Sequence, residues 1–243
     1  MAKLIWVVAI VNTVAAIVLA AVRYKSPSED FWALHSYWVL AAVVATLAVP
    51  LTHAAVIDMG ERGRRRALER QQIVEGFLTA SLIDLERHAG ADLKSTGVQA
   101  FVVRGYFQRW KRHVRLAKVR LAPTASSGIK WNKGKGVIGR CMTSRAPQFE
   151  DLETYFAPYR NYDKPAWDRL ASELRFGLTY DDFQHLNGKY GIVAAVPIMN
   201  SKEKYIGCIT ADTPPRHGVP STLVKAEVLN TLGQTARLVQ AVL

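Results

Sequence analysis

The sequence predicts an α+β protein in which a two-helix transmembrane hairpin precedes an antiparallel sheet with helices packed on one face. Three observations carry that expectation. Two long stretches without charge lie before residue 58, runs of strand length rich in apolar and β-branched residues follow residue 90, and helical patterns flank those runs. Length admits either one large domain or a membrane module plus an ordinary domain, and composition along the chain favours the second.

The first element is residues 4–22, nineteen residues without a charge and with only Asn12 and Thr13 as a polar interruption. About twenty apolar residues are needed to cross the hydrocarbon core. The second is residues 31–57, equally free of charge, with Phe31, Trp32, Tyr37 and Trp38 grouped at one end as an interfacial belt would be. Eight residues, 23–30, separate them, which predicts a tight extracytoplasmic loop. Arg62, Arg64, Arg65, Arg66 and Arg70 follow the second stretch, so both termini are expected on the cytoplasmic side of an inner, plasma membrane. A cleaved signal peptide is the rival for the first stretch, but its apolar run is longer than a typical h-region. Asn12, His35 and His53 are read as tolerated polar residues rather than parts of a pore.

Residues 58–89 read as a charged helix leaving the membrane, with Ile73, Phe77, Leu78, Ala80, Leu82 and Leu85 as a partial apolar stripe. Its arginine cluster is expected to contact anionic lipid headgroups. The stripe could also pair two copies of the helix in a homodimer. The net charge of +12 lies almost entirely after residue 57, and lipid is the simplest partner for it. The basic link from Arg104 to Arg120, with Tyr106 and Trp110, could contact nucleic acid, a reading that tethering makes unattractive.

Strands are expected at 98–104, 114–121, 148–152, 192–199 and 205–212, with a turn at 200–204 joining the last two. Residues 153–187 are aromatic, charged and irregular, with a short helix expected around 167–174. An amphipathic helix closes the sequence from Ser221, a suitable N-cap after Pro220. Residues 90–243 are thus expected to form one cytoplasmic domain.

The passages KGKGVIGRCMTSRAPQFEDL (133–152) and IVAAVPIMNSKEKYIGCITADTP (192–214) resemble the GAF domain, a sensory fold with a central antiparallel sheet. The resemblance covers about residues 65–243 and is an analogy of fold, not of activity. It implies a ligand pocket between the sheet and the variable segment, using residues between Trp131 and Tyr190. Trp131, Arg140, Tyr155, Phe156, Tyr159 and Phe183 are the expected ligand-binding side chains, the aromatics for stacking and Arg140 for an anionic group. The same aromatics could equally pack a core. The family's cyclic-nucleotide motif begins at Asn132-Lys133, but no Phe-x3-Asp-Glu follows.

The chemistry of the common enzyme classes is missing. Residues 134–139 lack the order of a phosphate-binding loop, and their glycines are read as a close turn against the sheet. No nucleophile elbow or kinase set is present. Cys141 and Cys208 fit neither a disulfide framework nor a zinc site, and the histidines lack ligand spacing, so no metal is expected. Some GAF relatives bind bilins through cysteine or reduce methionine sulfoxide. Neither signature is recognisable, and the two thiols are read as buried packing, so no covalent cofactor is expected.

The sequence therefore predicts a membrane-anchored sensory protein, not an enzyme, that binds a small molecule or partner and signals through the 58–89 helix to a separate output protein. Two alternatives remain: a ligand-gated effector whose hairpins oligomerise and permeabilise the bilayer, and a ligand-free membrane scaffold.

Overall fold

The computed structural model describes residues 2–104, 112–122, 128–217 and 223–243, with side chains described there except at 2–8, 48–57 and 59. The chain divides into two compact units, residues 1–68 and 69–243.

The first unit contains α1 (Ala2–Arg23), α2 (Glu29–Leu34) and the beginning of α3 (Ser36–Ala89). Ser28 caps α2 by accepting a hydrogen bond from the Phe31 N–H at 3.2 Å, and Glu29 and Asp30 place negative charge in its first turn. At the other end the His35 N–H donates to the Phe31 carbonyl, and its ring nitrogen Nδ1 lies 2.8 Å from the same oxygen. The helix stops there and α3 restarts at Ser36.

This arrangement corrects the expected transmembrane hairpin, and with it the multi-pass membrane location. Among the described residues no helix is long and apolar enough to cross a membrane. The stretch expected to span at 31–57 is broken at His35, and it has no end at Ile57, because α3 runs on into the charged segment as far as Ala89. Two of the four aromatic residues expected at an interface make local contacts. Phe31 stacks on His35 at 4.3 Å, and the Trp32 indole N–H donates to the Ser26 carbonyl at 3.0 Å, closing the turn between α1 and α2. His53 lies outside the described side chains.

The arginines of α3, Arg62, Arg64, Arg65, Arg66 and Arg70, are exposed, and Arg62 pairs with Asp58 one turn earlier at 2.7 Å. The reason for expecting lipid headgroups beside them, a span ending just before, is removed.

In the second unit β1 (Gly97–Arg104), β2 (Arg112–Arg120), β3 (Gln148–Asp151), β4 (Ile192–Met199) and β5 (Tyr205–Asp212) form one sheet in the order β2-β1-β5-β4-β3. Every pairing is antiparallel. Strand residues alternate between two faces. Val98, Ala100, Ala194, Val196, Ile198, Ile209 and Ala211 point to one side, where Val74, Leu78, Leu82 and Leu85 of α3 and Leu232, Ala236 and Val239 of α8 (Lys225–Val242) close a core. Much of the stripe that could have paired two α3 helices is therefore buried in its own unit.

The second face is covered as well. Phe101, Ala195 and Cys208 project into another cluster, made with α4 (Gly136–Ser144), α5 (Leu152–Phe156), α6 (Lys164–Arg169) and α7 (Tyr180–Leu186). The irregular segment expected at 153–187 thus carries three short α-helices, the first beginning one residue before it. Each begins with a side-chain cap: Asp151, Asp163 and Thr179 accept from the N–H groups of Thr154, Ala166 and Asp182. The last helix starts at Lys225, and the cap expected at Ser221 falls outside the described residues, as do Tyr106 and Trp110 of the basic link.

Candidate functional site

The glycine-rich passage sets the wall of the site. Gly136 has φ +64°, and a Cβ there would meet the Trp131 ring at 2.6 Å. A Cβ on Gly139 would lie 2.2 Å from the Asn132 carbonyl oxygen, so the first turn of α4 presses directly on the preceding backbone. The Gly136 N–H donates to the Phe176 carbonyl at 2.7 Å, and Lys135 Nζ lies 2.6 Å from Asp182. These contacts clamp the segment around Phe176 and α7 to the start of α4.

Behind that clamp lies an aromatic cluster. Trp167 and Phe183 stack at 4.0 Å, and Phe156 meets both as well as Phe176. Between the cluster, α4 and the sheet is a cavity of about 200 Å³. Its apolar wall includes Phe101, Ile129, Trp131, Val137, Ile138, Phe156, Phe176, Leu178 and Tyr190. Its polar end consists of strand residues, namely Gln99 of β1, Arg115 and Lys118 of β2, and Thr210 and Asp212 of β5, while His113 of β2 lines it beside Trp131 and Phe101.

A bulge brings the β2 cations together. Ala100 pairs with Ala117 but Phe101 pairs with Arg115, which leaves Leu116 as the extra residue. Without it, Arg115 and Lys118 would point to opposite faces, because three residues along a strand reverse the side chain. With it both line the cavity.

A chain of polar contacts crosses the strands at this end. The Arg115 guanidinium donates to Gln99 Oε1 at 3.2 Å, and Gln99 Nε2 donates to Asp212 Oδ1 at 2.8 Å. The other Asp212 oxygen pairs with Arg120, whose Nη1 also donates to the Ser95 carbonyl at 2.8 Å. Both partners of this ion pair are buried, with 4% and 5% of their side chains exposed. The pair is therefore a structural tie that would be costly to halve.

His113 is held in one tautomer. Nδ1 lies 3.1 Å from the Trp131 carbonyl, which can only accept, so the proton is on Nδ1 and Nε2 accepts from the Tyr205 hydroxyl at 2.8 Å. Burial lowers its pKa despite the opposing bond to Trp131. Lys118 is lowered too, first by desolvation and then by Arg120 and Arg115, with Asp212 acting in the opposite sense. Burial raises Cys141 and Tyr205 and pushes Cys208 up to about 12, so the thiols are held protonated. Among the described residues no group of three His, Cys, Asp or Glu side chains could hold a metal ion.

Of the residues expected from sequence, Trp131 and Phe156 line the cavity. Phe183 is buried against Trp167, and Tyr155 packs edge-on against Phe156 and Phe176. Tyr159 meets Tyr162 and Trp167 instead. Arg140 turns away to a surface groove, where its guanidinium covers the Phe176 ring at 3.3 Å and donates to the Glu173 carbonyl. The polar end was missed because its residues sit in strands. The available signal was in β2, where His113, Arg115, Lys118 and Arg120 alternate with less polar residues.

No protein-family model matches the sequence, and no curated protein matches it. Solved structures resemble it in fold. The GAF domain region of a Geobacter sulfurreducens protein is 15% identical, covering 74% of this chain and 97% of that one, with a TM-score of 0.46. The second GAF domain of DevS from Mycobacterium smegmatis is 13% identical, covering 71% and 92%, with a TM-score of 0.41. The type II free methionine-R-sulfoxide reductase from Thermoplasma acidophilum is 14% identical, covering 71% and 94%, with a TM-score of 0.42. These likenesses concern fold alone and include GAF domains as well as an enzyme. The five-stranded antiparallel sheet of residues 69–243, flanked by helices, fits a GAF-like α+β fold.

Proposed function

We propose that the 69–243 unit is a non-catalytic sensory domain that binds a small molecule in the cavity between the sheet and α4. The observation that carries this reading is the lining itself: polar side chains from β1, β2 and β5 share one cavity with an apolar wall of aromatic and aliphatic residues. Catalysis is disfavoured because Cys141 and Cys208 are buried and held protonated, unlike an activated nucleophile.

The same strands offer a route for a signal. Gln99 and Phe101 face the cavity, while Val98 and Ala100 beside them pack in the core with α3 and α8. A ligand that shifts β1 would be felt at α3, and a separate protein would read the change.

Native mass spectrometry of the purified full chain, before and after mild denaturation, tests the reading. A stoichiometric small molecule is expected, and it should be lost in Val193→Phe, which fills the cavity from β4. An empty folded protein that shows no thermal shift with a broad metabolite panel would replace this reading with a ligand-free scaffold.

A further inference from the structure

The first unit leaves most of its apolar surface uncovered. Among the described side chains of α1 only Ala15 is buried, and among those of α3 before residue 58 only Ala42. These two mark the covered sides of their helices. To one flank of them Ile10, Val14 and Ile17 of α1 and Tyr37, Trp38 and Val44 of α3 are each between 54% and 62% exposed. Tyr37, Ala41 and Val44 stand at the same offsets from Ala42 as Ile10, Val14 and Ile17 do from Ala15, so the same flank is apolar on both helices.

A helix facing water carries polar residues on its outer side. Residues 9–22 and 36–47 carry no charge at all, and the hydroxyls of Thr13 and Thr46 donate back to the Ala9 and Ala42 carbonyls of their own helices. The six large side chains of the flank together expose on the order of 700 Å² per copy, more than a monomer commonly leaves to water and close to the roughly 800 Å² that each partner gives to a stable interface.

Whatever covers this flank must itself be apolar, because a charged group brought against it would lose its water without gaining a partner. The same flank of a second copy meets that condition, and an isologous pair, in which each copy offers the same surface, needs no further component. Every charge of the chain lies outside the two stretches.

We propose that two copies of the chain dimerise through this flank of α1 and α3, as a four-helix contact. The surface is distinct from Val74, Leu78, Leu82 and Leu85 of α3, which close the core of the second unit. The dimer does not depend on the cavity holding a ligand.

Sedimentation velocity of the full chain in detergent-free buffer, across micromolar concentrations, tests this. The expected species has twice the 27.0 kDa of the chain and persists in high salt, since no ion pair holds it. Val14→Glu and Val44→Glu should each weaken the dimer about tenfold or more, because each carries an unpaired carboxylate into the contact. Leu47→Glu, at an exposed position on the other flank of Ala42, should leave it intact. Should the glutamate variants fail to fold, Val14→Cys and Leu47→Cys treated with a short bismaleimide replace them. Val14→Cys should then crosslink between copies and Leu47→Cys should not, the native Cys141 and Cys208 being buried.

A monomer at every concentration, larger polydisperse species, dissociation by salt, or equal effects at positions 14 and 47 would overturn the proposal. A chain that stays dispersed only in detergent, or that sediments with phosphatidylcholine vesicles instead of forming a dimer, would assign the flank to lipid and overturn the choice of a second copy.

Discussion

The two faces of the sheet are built from alternate residues of the same strands, yet they are filled differently. On the α3 and α8 side, Val98, Ala100, Ala194, Val196, Ile209 and Ala211 meet aliphatic helix residues in a close-packed layer. On the other side Phe101, Ala195 and Cys208 meet aromatic rings, a glycine-marked helix start and a cavity with a charged end. The difference follows from side-chain shape: small and branched side chains suit close helix packing, while large rings between short helices leave a cavity.

The largest expected effect lies at the border of the cavity. Asp212→Asn leaves Arg120 buried without its counter-charge and should lower unfolding free energy by about 3–5 kcal/mol. Replacing Arg120 and Asp212 together with apolar residues should cost much less. Urea denaturation of the single and double variants checks this, and equal losses would remove the claim that an uncompensated charge is responsible.

On the packed face, Leu232→Ala should cost about 2–5 kcal/mol, since Leu232 is fully buried among β-strand and α3 residues. Urea denaturation measures the loss, and a cost below about 1 kcal/mol would mean that the neighbouring side chains collapse into the vacated space.

Gly136→Ala addresses the cavity wall. An L side chain in the left-handed region costs about 1–2 kcal/mol, and the added methyl also displaces Trp131. The melting temperature and the intrinsic fluorescence should both change. A silent variant would mean that Trp131 does not depend on this close approach.

The smallest effect concerns acid. The folded pKa of His113 lies below the ordinary 6.5, so on lowering the pH the unfolded chain takes up the proton first. The stability contributed by neutral His113 is complete above about 6.5 and is lost as pH falls toward the folded pKa. His113→Gln should flatten the stability profile between about pH 7 and 5 relative to the parent, with carboxylate contributions common to both. An unchanged slope would assign the acid sensitivity to other groups.

Much of the sheet was legible because strand signals are local. Residues 192–199 and 205–212 have the apolar composition and turn punctuation of a hairpin, and β4 and β5 occupy those positions. The glycines at 134–139 announced a close turn, and α4 begins there against Trp131 and Asn132. The expected hairpin failed for a local reason also present in the chain: Ser28, Glu29 and Asp30 start a short helix that His35 ends, so the charge-free run at 31–57 does not define one element. Half of the site was hidden in strands. A basic β2 reads as a solvated face until its neighbours are known.

The sequence by itself determined where strands alternate, where glycine must bend the backbone and which segments are aromatic, because these depend on residues close together in the chain. Only the tertiary structure decided that Asp212 meets Arg120 across 92 positions, and that Leu116 bulges so that Arg115 and Lys118 face one cavity. Alternation specifies that two faces exist, but strand pairing and helix packing determine what each face meets.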